Sequence, residues 1–153
     1  MAQRRSRRPA LRRARAPRVI IDTSALIAIF RAEPDAGEMA RAIERAQIRR
    51  ISAANWLETA IVIDASRDPV ASRRFDELVQ TAELHVEPVT GDQVGIARDA
   101  YRDFGKGSGR KAGLNLGDCF AYALAKSTGE DLLFKGNDFG HTDITSALDV
   151  KPG

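Results

Sequence analysis

"RVIIDTSALIAIFRAEPD", residues 18–35, sets a carboxylate directly after an apolar run: Val19, Ile20 and Ile21 suit a buried strand, and Asp22 follows with no spacer. A short helix is expected next, with Thr23 or Ser24 as its N-cap, Leu26, Ile27, Ile29 and Phe30 as its apolar face, and Pro34 closing it. A bare carboxylate at the end of a core strand is costly to desolvate, so something must meet it.

Downstream the pattern keeps alternating. "DAGEMARAIERAQ" carries Met39, Ala42, Ile43 and Ala46 at helical spacing, "IRRISAA" reads as a short strand, and "NWLETAIVIDASRD" as a helix apolar enough to be largely buried. A further helix covers about Pro69 to Thr81. "LHVEPVT" is a strand with Leu84 and Val86 inward, and "GDQVGIARDAYRDFG" a helix with Val94, Ala97, Tyr101 and Phe104 on one face. After the loop "GKGSGRKAGLN" comes "LGDCFAYALAKSTG", apolar almost all round and therefore central, then the strand "DLLFK" and a tail of turns with a last short strand. No internal repeat is present. Such alternation predicts an α/β fold, a mostly parallel central sheet flanked by helices, with ligands at the carboxyl ends of the strands.

The length of 153 residues suits one domain, and the single cysteine, Cys119, excludes an internal disulfide. No secretory signal and no apolar run of about 18 residues is present, so a cytoplasmic protein without a membrane span is expected. The net charge of +3 is unevenly spread. Eight of the 24 basic residues lie at or before Arg18 and all 21 acids follow it, which leaves residues 19–153 with 16 basic against 21 acidic residues, a formal −5. Residues 1–18 are expected to be a basic disordered tail, or to precede the true start of translation, in preference to a nucleic-acid-binding arm. Residues 19–153 form the domain.

Acids embedded in apolar surroundings are the informative ones. Glu58 lies within "AANWLETAIVI", Asp118 in the first turn of the most apolar helix, and Asp138 two residues past the strand "DLLFK"; Asp143 in "HTDI" is a further candidate. Each alone has an ordinary structural explanation. Together with Asp22 they would converge on one crevice, and such a cluster stays ionised only beside a cation. Mg²⁺ or Mn²⁺ suits carboxylate oxygens.

The motifs "VIIDTSALIAIF", "NWLETAIVI", "AGLNLGDCFAYALAKSTGEDLLFKGNDF" and "HTDI", in this order, resemble the PIN domain, specifically the VapC toxins of bacterial toxin–antitoxin pairs, over about Val19 to Val150. The resemblance implies a three-layer α/β fold, a Mg²⁺- or Mn²⁺-dependent endoribonuclease leaving 5′-phosphate and 3′-hydroxyl ends, a homodimer, and a cognate VapB-type antitoxin. Carried over by motif, Asp22, Glu58, Asp118 and Asp138 match the family's acidic quartet. Thr23 and Ser24 would support the first ligand, Asn137 stands at a variable position, and Asp143 competes with Asp138 for the last place.

"GKGSGRKAG" lacks the order of a P-loop, but Lys106, Arg110 and Lys111 are candidates for RNA phosphate contacts beside the acidic helix. His85 and His141 are too few and too separated for a zinc site. Cys119 reads as core. The rival from another class is a Mg²⁺-binding phospho-receiver signalling domain, which needs an acidic pair after the first strand. Asp22 has no acidic neighbour.

Overall fold

The computed structural model describes residues 17–148; the readings of the basic tail up to Ala16 and of residues 149–153 lie outside the described residues. Strand β1 is Arg18–Ile21, followed by α1 Thr23–Phe30, α2 Ala36–Arg45, β2 Ile48–Ser52, α3 Ala53–Asp64 and α4 Pro69–Thr81. Then come β3 His85–Glu87, α5 Gly91–Phe104, α6 Leu116–Thr128, β4 Asp131–Leu133 and a 3₁₀ turn, Phe139–His141. Strand β1 takes in Arg18, one residue before the boundary drawn from composition.

Side-chain alternation in β1 divides the core in two. Val19 and Ile21 pack with Leu26, Met39, Ile43, Ile63 and Phe75 from α1 to α4, whereas Ile20 packs with Ala97, Ala100, Tyr122 and Leu124 from α5 and α6. Helices therefore cover both faces of the sheet, the three-layer arrangement expected of strands that read as unbroken apolar runs. All pairings are parallel, in the order β3-β2-β1-β4. Because β1 lies between β2 and β4, its carboxyl end, and Asp22 with it, falls at the middle of the sheet's edge.

Two arginines on β2 tie the layers together. Arg49 donates from Nε to Ile43 O at 2.6 Å, from Nη1 to Ala82 O at 2.8 Å and from Nη2 to Glu44 O at 3.2 Å, gathering carbonyls at the C-terminal ends of α2 and α4. Arg50 pairs with both Glu87 and Glu130, and Arg18 reaches Glu130 at 3.6 Å, so a ladder of alternating charge crosses the whole sheet.

The structure corrects several expectations. Helix α1 is capped by Asp22, whose carboxylate accepts from Ser24 N–H, and not by Thr23 or Ser24. Helix α3 is buried on one side only: Leu57 and Ile61 are more than half exposed. Val86 points outward because β3 is the sheet edge. Val94 and Tyr101 share a helical face with Ala97 as the spacing implies, but lie open along a groove of about 550 Å³ between α5 and the start of α6, lined also by Leu116 and Phe120. The last strand is reduced to a single parallel bridge, Leu132 to Ser146.

Candidate metal centre

Asp22 leaves β1 fully buried, its backbone N–H donating to Leu133 O of β4 at 3.0 Å. One carboxylate oxygen, Oδ2, accepts from Ser24 N at 3.0 Å and from Ser24 Oγ at 2.5 Å. The other, Oδ1, is buried and has no hydrogen-bond partner. Burial above all pushes the Asp22 carboxyl up to about 7; the Ser24 hydrogen bonds pull it back, and the charges of Asp118 and Glu58 add to the rise.

Asp118 stands at the third position of α6 in a reciprocal cap: its N–H donates to Asn115 Oδ1 at 2.9 Å while its Oδ2 accepts from Asn115 N at 3.0 Å. Its pKa is also raised, first by desolvation, with Asp138 and Glu58 contributing and with the Asn115 hydrogen bond and Lys106 acting against them. Glu58, half-buried on α3, lies over the Cα of Gly117: a methyl built there would sit 2.7 Å from the Glu58 carboxyl carbon. Asp138 is exposed at the start of the 3₁₀ turn.

Asp118 links the group: the charges of Glu58 and Asp138 act on it, and it acts with Glu58 on Asp22. Asp143 is engaged elsewhere, accepting from Tyr122 Oη at 2.7 Å and Lys126 Nζ at 2.6 Å. Desolvation raises its pKa, but those two partners outweigh it and hold the carboxyl below its usual value. Asn137 is exposed, and its carbonyl accepts from Gly140 N–H at 3.1 Å.

Among the described residues no three His, Cys, Asp or Glu side chains already stand at ligand spacing, so the carboxylates are gathered without being closed into a shell. Mutual repulsion opposes closure until a cation enters. The donors still fit a hard divalent ion: they are all carboxylate oxygens, and the orphaned Asp22 Oδ1 is a buried acceptor with unused lone pairs.

The basic loop closes on itself through a bridge between Gly105 and Leu114, with Lys106 N–H donating to Leu114 O at 2.9 Å. Lys106, Arg110 and Lys111 are exposed on it, and the Lys106 charge favours the ionised form of Asp118.

Motif reading misses Asn55 and Gly117. Asn55 is fully buried, donates from Nδ2 to Gly117 O at 2.9 Å, and its carbonyl accepts from Thr59 Oγ1 at 2.8 Å and Thr23 Oγ1 at 3.2 Å. The signal that could have found it is an amide in an otherwise apolar helix, three residues before Glu58 and so on the same face.

The sequence pattern of the PIN domain matches residues 19–144. Ribonuclease VapC28 of Mycobacterium tuberculosis is 59% identical over 131 residues, spanning 86% of this chain and 98% of that protein. Among solved structures, M. tuberculosis VapC20, described as a sarcin-ricin loop cleaving toxin, superposes with a TM-score of 0.66 at 18% identity, covering 88% of this chain and 99% of the other. A toxin–antitoxin complex from Klebsiella pneumoniae gives 0.63 at 18%, covering 82% and 92%. At those identities the two structures speak for the fold alone.

Proposed function

The chain belongs to the PIN-domain family and is a VapC-type ribonuclease, and from that premise we propose that its acidic crevice hydrolyses RNA with a divalent cation, Mg²⁺ or Mn²⁺, held by Asp22, Glu58, Asp118 and Asp138. The supporting observation is Asp22: a fully buried carboxylate with one oxygen fixed by Ser24 and the other unpartnered. A bound cation would supply a water of lowered pKa and stabilise charge building on the phosphate oxygens.

The chain's own residues do the rest. Ser24 sets the orientation of Asp22, the Asn115 cap sets that of Asp118, and Thr23 joins α1 to α3. Asp138 takes the last place because Asp143 already neutralises Lys126. Lys106, Arg110 and Lys111 hold backbone phosphates of the RNA beside an otherwise acidic body. Among the described residues no side chain is poised as a covalent nucleophile: burial pushes the Cys119 thiol up to about 11, with the Asp118 charge adding to it. Hydrolysis is therefore by direct attack of water, and the likeness to the PIN family implies that it leaves 5′-phosphate and 3′-hydroxyl ends. A phospho-receiver role is disfavoured by the geometry it would need, since Glu58 lies in the middle of α3 and not beyond a strand.

A VapB-type antitoxin is the partner that restrains this activity, seating a helix and a basic side chain among the carboxylates. A second copy of the chain covers the groove between α5 and α6, where Val94, Tyr101 and Leu116 are at least half exposed. No helix among the described residues is long and apolar enough to cross a membrane, and we place the activity in the cytoplasm. The test is cleavage of total RNA with Mg²⁺ or Mn²⁺, with EDTA, and with the product of the adjacent reading frame. Metal-dependent cleavage abolished by that product is expected; full cleavage in EDTA would remove the mechanism.

A further inference from the structure

Three carboxylate-bearing segments meet at one buried amide. Asn55 lies at the third position of α3 with no exposed surface. Its backbone carbonyl accepts the hydroxyl of Thr23, the residue after Asp22, and that of Thr59, the residue after Glu58. Its side chain donates to the carbonyl of Gly117, the residue before Asp118. Thr59 Oγ1 also lies 3.2 Å from Thr23 Oγ1, so the two hydroxyls and the Asn55 carbonyl form one network. Every contact is made by a group adjacent in sequence to a proposed metal ligand.

Gly117 contributes by what it lacks. It sits in the first turn of α6, where backbone entropy alone favours alanine over glycine. A Cβ at this position would overlap the Glu58 carboxylate, both oxygens and the carboxyl carbon being its nearest neighbours. The missing side chain lets Glu58 lie against the start of α6, next to Asp118. The amide of Asn55 fastens α3 to that same turn, so the approach is held at two points one helical turn apart.

Resting on the metal-dependent reading above, we propose that Asn55 and Gly117 are positioning residues for the cation: Gly117 opens the space in which Glu58 reaches the centre, and Asn55 locks α3 to α6 so that Glu58 and Asp118 bind one ion together. Neither touches the ion. Their effect is on the geometry of oxygens that do, a role in which outer-shell replacements weaken metal affinity by about 10–100-fold.

The experiment is titration calorimetry with Mn²⁺ alone on the full chain, with melting temperature in EDTA measured in parallel. Gly117→Ala should keep a cooperative melt and bind Mn²⁺ about 10-fold more weakly or worse, with kcat reduced and KM for RNA little changed. Asn55→Ala should do the same, with a lower melting temperature. The decisive comparison is a double-mutant cycle: if Gly117→Ala acts through Glu58, adding Glu58→Gln to it should cost much less affinity than Glu58→Gln costs in the parent chain. Parent-like Mn²⁺ affinity in Gly117→Ala, or independent losses in the cycle, would overturn the proposal while leaving the metal site standing. A parent chain that binds no Mn²⁺ would remove both.

Discussion

Ser24 Oγ accepts the backbone N–H of Lys135 at 2.9 Å while donating to the Asp22 carboxylate at 2.5 Å. One hydroxyl thus sets the orientation of the Asp22 carboxylate and joins it to the segment after β4 that leads to Asp138. Ser24→Ala should cost about 1.5–3 kcal/mol, the scale of a lost hydrogen bond to a charged group. It should also raise the Asp22 pKa further above about 7, because the bonds that lower it are weakened. The acidic limb of the rate profile should move to higher pH; an unchanged limb would separate Ser24 from Asp22.

Asp22→Asn, Glu58→Gln, Asp118→Asn and Asp138→Asn keep side-chain size while removing the charge of a proposed ligand. Each should lower kcat by at least about 100-fold, the upper end of what outer-shell changes alone produce. The fold should persist in each. Activity at the parent level in Asp22→Asn or Asp118→Asn would dismantle the centre as described.

Stability without metal should fall as pH rises. A carboxyl whose folded pKa stands above its unfolded value binds more protons when folded, so its penalty is absent below the ordinary value of 3.8 and complete above about 7. The cost is on the order of a few kcal/mol, because every tenfold weakening of the acid on folding corresponds to about 1.4 kcal/mol. Melting in EDTA at pH 5 and pH 8 should show the loss, and Asp22→Asn should abolish most of it. Mn²⁺ should stabilise more at pH 8 than at pH 5, because protons compete for the same oxygens.

Lys106→Ala, Arg110→Ala and Lys111→Ala should act on binding. Each lost phosphate contact should raise KM and flatten the slope of log affinity against log salt by about 0.7 for single-stranded RNA. Lys106→Ala should additionally raise the pKa of Asp118, which the ammonium now lowers. Salt-independent losses would move these residues out of the RNA path.

Arg50→Ala should destabilise by about 3 kcal/mol or more without touching the centre, since it strands Glu130, whose side chain is only 8% exposed. Denaturant unfolding measures this. A cost below about 1 kcal/mol, the scale of an exposed pair, would mean that Arg18 suffices as the partner.

What the chain discloses in its sequence, and what it withholds, follow from the range of the signals. Asp22, Glu58 and Asp118 stand out because each interrupts an apolar run, and periodicity is a local property. Asp138 and Asp143 lie where no period exists, so only three-dimensional partners, Asp118 for one and Lys126 for the other, distinguish them. Spacing puts Val94 and Tyr101 on the right face, but it says which side is apolar and not whether anything covers it. Asp22 escapes notice as the cap of α1 because it serves both the strand's exit and the helix's entry. Asn55 and Gly117 stand 62 residues apart, beyond the reach of any local pattern.

The place of β1 between β2 and β4 bears on how such a protein could be switched off. Ile20 and Ile21 have no exposed surface, and the Asp22 amide is tied to β4, so hydrogen exchange at these positions should require opening of the whole sheet. A protease that waits for local fraying would find the loop at 105–114 long before it found the centre. The Asp22 end of the centre should therefore be lost only when the sheet opens as a whole. Control by a reversible cover matches that all-or-none behaviour, because lifting the cover returns an undamaged catalyst.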